Sequence, residues 1–124
     1  MRDFNEYVKT FEDKKTHVVG ISTDSHHVHK AWRDLSTTKG GVGDDLKISL
    51  LSDQSHQISK YFNVLYANGQ SQRALFIIDS DQILQYIVAS PNGIGRNVNE
   101  IIRVIDGICF TKENGLGNLF KKLK

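Results

Sequence analysis

Arg73 is the residue whose chemistry most needs an explanation. It stands directly before Ala74-Leu75-Phe76-Ile77-Ile78, an unbroken apolar run closed by the acidic turn Asp79-Ser80-Asp81. A short apolar run bounded by turn residues predicts a strand buried on both faces. A guanidinium at the mouth of such a strand is costly unless something anionic or polar meets it. Arg73 is therefore read either as half of a surface ion pair or as part of a site. Cys109 is the single cysteine of the protein. Eleven residues past Val98, it falls on the apolar face of a final helix, where a free cysteine is expected to act as a small hydrophobe. His26, His27 and His29 lie near Asp24. On a helix only His26 and His29 share a face, so at most two ligands converge, and polar, exposed histidines are expected rather than a metal site. Gly40-Gly41-Val42-Gly43 is not a phosphate loop, since no Lys-Ser/Thr follows it and no helix start is due there. No metal and no cofactor is expected.

The elements that would position these groups follow from periodicity and turn residues. Phe4, Tyr7, Val8 and Phe11 fall at helical spacing and predict one amphipathic helix over residues 3–14. That pattern is under way almost at Met1, an odd way for a domain to begin. Residues 17–22 predict a buried strand. Asp24 or Ser25 then caps a helix whose apolar face is Val28, Ala31, Trp32 and Leu35, with Trp32 in the core. After a polar, glycine-rich loop over residues 36–45, Ile48-Ser49-Leu50-Leu51 is a second short strand. Asp53 or Ser55 caps a helix carrying Ile58, Tyr61 and Phe62. The strand 74–79 turns into a hairpin partner, Ile83 to Ala89. Asn97 opens the strongest helix, with Val98, Ile101, Ile102 and Ile105 in step. Strand–helix–strand units imply parallel pairing and the tight turn implies antiparallel pairing. The expected fold is an α/β domain of thioredoxin-like type, a mixed sheet flanked by helices, over residues 1–112, with a loose tail at 113–124.

Composition narrows the classes. A net charge of +2 with both signs scattered along 124 residues gives no basic face for nucleic acid. No apolar run approaches the roughly 20 residues of a membrane span, and no secretory leader precedes the first helix. One cysteine excludes an internal disulfide. The cytosol is the expected compartment.

Several stretches together resemble the peroxiredoxins, the thioredoxin peroxidases of the AhpC/TSA-like family, and in particular their typical two-cysteine branch. They are Val18-Val19-Gly20-Ile21-Ser22-Thr23-Asp24-Ser25, His29-Lys30-Ala31-Trp32, Gly40-Gly41-Val42-Gly43, Leu51-Ser52-Asp53, Arg73 to Asp79, and Gly95-Arg96-Asn97-Val98-Asn99-Glu100. Each is weak alone, but they occur in the family's order and spacing. The resemblance implies thiol-dependent reduction of hydrogen peroxide and organic hydroperoxides. A cysteine thiolate attacks the O–O bond and becomes a sulfenic acid. A second cysteine resolves it as a disulfide, which a thioredoxin-like dithiol protein reduces. Arg73 and Arg96 match the arginines of the family's active-site network, and they are the expected catalytic residues.

The sequence departs from the family at both sulfurs. The nucleophile belongs to a Pro-x-x-x-Thr-x-x-Cys loop that leads into the helix matching residues 3–14, so it would lie upstream of Met1. The region of the resolving Val-Cys-Pro motif reads Asn114-Gly115-Leu116-Gly117-Asn118-Leu119. The Gly-Gly-Val-Gly loop is similar to a motif of peroxide-sensitive members, but the Tyr-Phe helix that accompanies it there has no match. The family's N-terminal strands, including the central one between the strands matching 17–22 and 74–79, have no match either. Losing roughly ten ladder bonds, at about 0.5–1.5 kcal/mol each, rivals a domain's typical stability of roughly 5–15 kcal/mol. The expectation is therefore an inactive fragment of a longer protein, or else a non-catalytic subunit that pairs with itself or with an active relative. Ile83 to Ala89 is expected as an edge strand that builds a two-fold homodimer, as the resemblance implies.

Overall fold

Ser25 starts the helix that links the first two strands. Its hydroxyl accepts from the amide of Val28 at 3.3 Å and opens α3, His26–Asp34. On either side of α3 lie β1, Val19–Ser22, and β2, Ser49–Ser52, paired in parallel with Val19 opposite Ser49 and Ser22 opposite Ser52. The computed structural model describes residues 1–115, which fall into two units, Met1–Arg73 and a second beginning at Ala74.

In the first unit the expected helix over 3–14 is two short ones, Arg2–Glu6 (α1) and Val8–Asp13 (α2), broken at Tyr7. The break keeps Phe4 and Phe11 on one side, stacked with ring centroids 6.0 Å apart, and both are buried. Val42, Leu46 and Ile48 complete this core. They come from the loop after α3, which is tied down on two sides. Arg2 donates to the carbonyl of Val42 at 3.1 Å, and Asn5 accepts from the amide of Lys47 at 2.7 Å. From α3, Trp32 donates its indole N–H to the carbonyl of Gly40 at 3.1 Å, and Arg33 donates to that of Leu46. Gly41 lies against α3, where a Cβ would sit 1.9 Å from the carbonyl oxygen of Leu35. Backbone cannot step aside as a side chain can. Gly41→Ala is expected to destabilise this unit by about 1–3 kcal/mol, read as a lower urea midpoint at unchanged slope.

The apolar face expected to bury α3 is exposed. Val28, Trp32 and Leu35 are open to solvent, and the buried residue of the helix is His29. Periodicity picks out a stripe, but burying it needs a partner, and the first unit supplies none. Asp53 rather than Ser55 organises the next helix, α4, Gln57–Tyr61. Its carboxylate accepts from the amides of Ile58 and Ser59 at 2.9 and 2.8 Å, and its own amide donates to the carbonyl of Ser22. Tyr61, expected on the packed side, is 85% exposed.

The second unit contains a hairpin and the last helix. β3, Arg73–Ile78, begins on the last residue of the first unit and hydrogen-bonds to β4, Leu84–Ser90. The short connection between them leaves only the antiparallel sense. Asp79 shapes the turn, accepting from the amides of Asp81 and Ile83 and from the side chain of Gln85. Contrary to the expectation of a strand buried on both faces, Ala74 to Ile77 of β3 are half-buried and Ile78 is exposed. A two-stranded pair has too few neighbours to enclose it. α5, Val98–Asn114, is capped by Asn97 accepting from the amide of Glu100, and it buries Val98, Ile101 and Ile105. It runs past residue 112, and residues 116–124, most of the expected tail, lie outside the described residues. The expected mixed sheet is present as two separate pairs, β1–β2 parallel and β3–β4. No helix among the described residues is long and apolar enough to cross a membrane.

Candidate active site

Arg96 lies in the loop just ahead of the cap of α5. It is half-buried, and its guanidinium donates to the carbonyl of Ala74 at 3.0 Å. That bond fixes Arg96 to the β3 residue next in sequence to Arg73. Arg73 itself opens β3 with its side chain exposed. Among the described residues it has no carboxylate within ion-pair distance. A guanidinium presents a planar fork of donors, suited to an anion or to oxygen atoms gaining charge.

A second polar group lies at the carboxyl ends of β1 and β2, the place where open α/β sheets carry their sites. The Ser22 hydroxyl donates to Asp24 at 2.9 Å and lies 2.5 Å from Nε2 of His29. With its proton committed to Asp24, the hydroxyl can only accept from the imidazole. The buried Nδ1 of His29 has no partner among the described residues. Ser52 adds a bond to the carbonyl of Asp24 at 2.7 Å. Ser22, Asp24 and His29 fall in two of the stretches that carry the resemblance, but no periodicity predicts that they meet. His26 and His27 remain exposed, with rings 3.9 Å apart. No three histidines, cysteines or carboxylates among the described residues gather around one point where a metal ion would sit.

Cys109 is exposed, not packed as expected. It continues the stripe of Val98, Ile101 and Ile105 along α5. Electrostatics elsewhere act on carboxylates. Burial pushes the Asp53 carboxyl up, but the Ser59 hydroxyl, the amides of Ile58 and Ser59, and the field of His56 together hold it below the ordinary value. Asp79 is lowered as well, by the Ile83 amide first and then by Gln85, against a smaller opposing effect of burial.

Comparison with known proteins decides what this architecture is. A family model described as "AhpC/TSA family" matches residues 1–87. The chain belongs to the AhpC/TSA family. Among its relatives in this family, a chloroplastic 2-cysteine peroxiredoxin of Chattonella marina var. antiqua is 39% identical over 90% of this sequence and 56% of its own length. A mitochondrial thioredoxin-dependent peroxide reductase of Drosophila melanogaster is 40% identical over 90% of this sequence and 48% of its own length. The chain thus spans about half the length of these curated relatives. Among solved structures, the mitochondrial 2-Cys peroxiredoxin from Plasmodium falciparum superposes with a TM-score of 0.90 at 40% identity, covering 93% of this chain and 68% of that one. AhpC of Enterococcus faecalis gives 0.84 at 32% identity, over 93% of this chain and 67% of that one. The thioredoxin-like peroxiredoxin fold expected from the sequence is therefore that of this AhpC/TSA family member.

Proposed function

We propose that this chain supplies the arginine part of a peroxiredoxin active site, in a protein that reduces hydrogen peroxide and organic hydroperoxides and takes its electrons from a thioredoxin-like dithiol protein. Arg73 and Arg96 are the proposed catalytic residues. Their guanidinium groups pull the pKa of a cysteine down so that its thiolate is present at neutral pH. They also hold the peroxide oxygens and stabilise the leaving oxygen as charge develops on it. The thiol comes from a Pro-x-x-x-Thr-x-x-Cys segment ahead of Met1, and residues 1–112 are the matching part of one peroxiredoxin domain. The observation that carries this reading is the bond from Arg96 to the carbonyl of Ala74, the residue that follows Arg73 in β3.

The test is peroxide consumption with dithiothreitol as reductant, which reduces a sulfenic acid without a resolving cysteine, on this chain alone and on a fusion in which the N-terminal part of a 2-cysteine relative precedes Met1. The fusion is expected to turn over and the chain alone is not. A fusion that folds but consumes no peroxide would refute the proposal. Turnover by the chain alone that vanishes in Cys109→Ser would assign the thiol to Cys109 instead.

The proposed assembly is a two-fold homodimer through residues 83–89. Ile83, just ahead of β4, and Leu84 and Ile87 on it are 56%, 40% and 55% exposed, and an apolar edge strand is of the kind that pairs with another copy. Ile87→Lys is expected to convert the dimer to a monomer in light scattering at micromolar concentration, and a wild-type monomer there would contradict the assembly. The proposed compartment is the cytosol, and fractionation of cells expressing the whole protein tests it.

A further inference from the structure

Asn-Gly steps are the sites at which a polypeptide attacks itself, because glycine leaves the following amide nitrogen unhindered. The sequence has three, at Asn68-Gly69, Asn92-Gly93 and Asn114-Gly115, and the structure treats them differently. Asn68 is held on both sides of its amide, accepting from the Gln70 amide at 3.1 Å and donating to the Gln70 side chain at 3.3 Å. The Gly69 amide donates to the carbonyl of Tyr66. Asn114 donates to the carbonyl of Phe110 at 3.0 Å, and the Gly115 amide closes the end of α5 on Thr111 at 2.8 Å. Asn92 is exposed, in the turn closed by the Ile94 amide on the carbonyl of Pro91. Among the described residues neither its side chain nor the Gly93 amide has a hydrogen-bond partner, and nothing lies within 4 Å of a Cβ built on Gly93.

We infer that Asn92 is a site of spontaneous deamidation, with water as the only co-reactant. The Gly93 nitrogen, losing its proton to solvent base, attacks Cγ of Asn92. The new C–N bond closes a succinimide as the bond from Cγ to Nδ2 breaks and ammonia leaves with a proton. Water then opens the ring at either carbonyl, giving aspartate or isoaspartate, with no change of oxidation state. The product carries a new negative charge four positions before Arg96, and the isoaspartate form lengthens the backbone of the turn. This inference is independent of the peroxidase reading.

Trypsin separates the three steps. Ala74–Arg96 contains Asn92 as its only asparagine, Tyr61–Arg73 contains Asn68, and Glu113–Lys121 contains Asn114. The folded protein is aged in mildly alkaline buffer and digested, and each peptide is followed by mass spectrometry for the exchange of amide for acid. Ala74–Arg96 is expected to convert roughly tenfold faster than the other two, the factor that one or two restraining hydrogen bonds are worth. Gly93→Ala fits the open space and is expected to remove the signal over the same time. Equal rates in the three peptides, a slower rate in Ala74–Arg96, or a signal that persists in Gly93→Ala would overturn the inference.

Discussion

Arg73→Ala, made in a fusion that carries a relative's cysteine loop ahead of Met1, is expected to lower kcat/KM for hydrogen peroxide by roughly 10²–10³-fold. That is the usual cost of removing one donor aimed at charge that develops in the transition state. The attack of a thiolate on a peroxide moves negative charge onto the departing oxygen, and the neighbouring cation also sets how much thiolate is present. Arg73→Lys is expected to recover little, because an ammonium is a point charge without the planar fork. Stability separates this role from a structural one. Arg73 is exposed and has no ion-pair partner among the described residues, so its removal is expected to change unfolding by no more than about 0.5 kcal/mol. Arg96→Ala is expected to lose activity to a similar degree and also about 1 kcal/mol of stability, from the bond to Ala74. Activity that survives in both variants would remove the arginines from the chemistry.

Asp53→Ala is expected to destabilise the protein by about 2–4 kcal/mol in urea denaturation, because two amide donors at the start of α4 are left without an acceptor in a buried place. Asp53→Asn keeps an acceptor oxygen and is expected to cost less. The carboxylate also gives the stability its acid limb. A carboxyl lowered in the folded state binds its proton more readily in the unfolded state, so its stabilisation is complete above the ordinary value of 3.8 and is lost as pH falls through the lowered one. Asp79 acts with the same sign in the hairpin turn. Stability is expected to be level above about pH 5 and to fall with acid below about pH 4. In Asp53→Asn that fall should be shallower. An unchanged acid limb in that variant would remove Asp53 as its source.

Sequence reading predicts best what local chemistry decides alone. Asn97 as a cap, the face of Val98, Ile101 and Ile105, the turn at Asp79 and the β1–α3–β2 unit are all set by residues close together in the chain. The break at Tyr7 is hidden because Phe4 and Phe11 share a side whether or not the helix kinks between them. The exposure of Val28, Trp32 and Leu35 is hidden for a different reason, since a stripe records what a helix offers and not whether anything meets it. By its type His29 reads as polar and exposed, and only the resemblance, which sets it beside Trp32, points to packing; it is buried and bonded to Ser22 seven positions earlier. Arg73 draws notice from its neighbours in sequence. Arg96 does not, because its bond to Ala74 crosses 22 positions that no periodicity links, and only the resemblance brings it forward.

The measurement that bears most directly on the arginines is the titration of the nucleophilic thiol in the fusion, followed by thiolate absorbance or by the pH dependence of alkylation. With Arg73 and Arg96 in place the thiol is predicted to titrate below neutrality. In the Arg73→Ala and Arg96→Ala variants it is predicted to rise by about one pH unit or more. A thiol that titrates at the same pH with and without the two guanidinium groups would contradict the account.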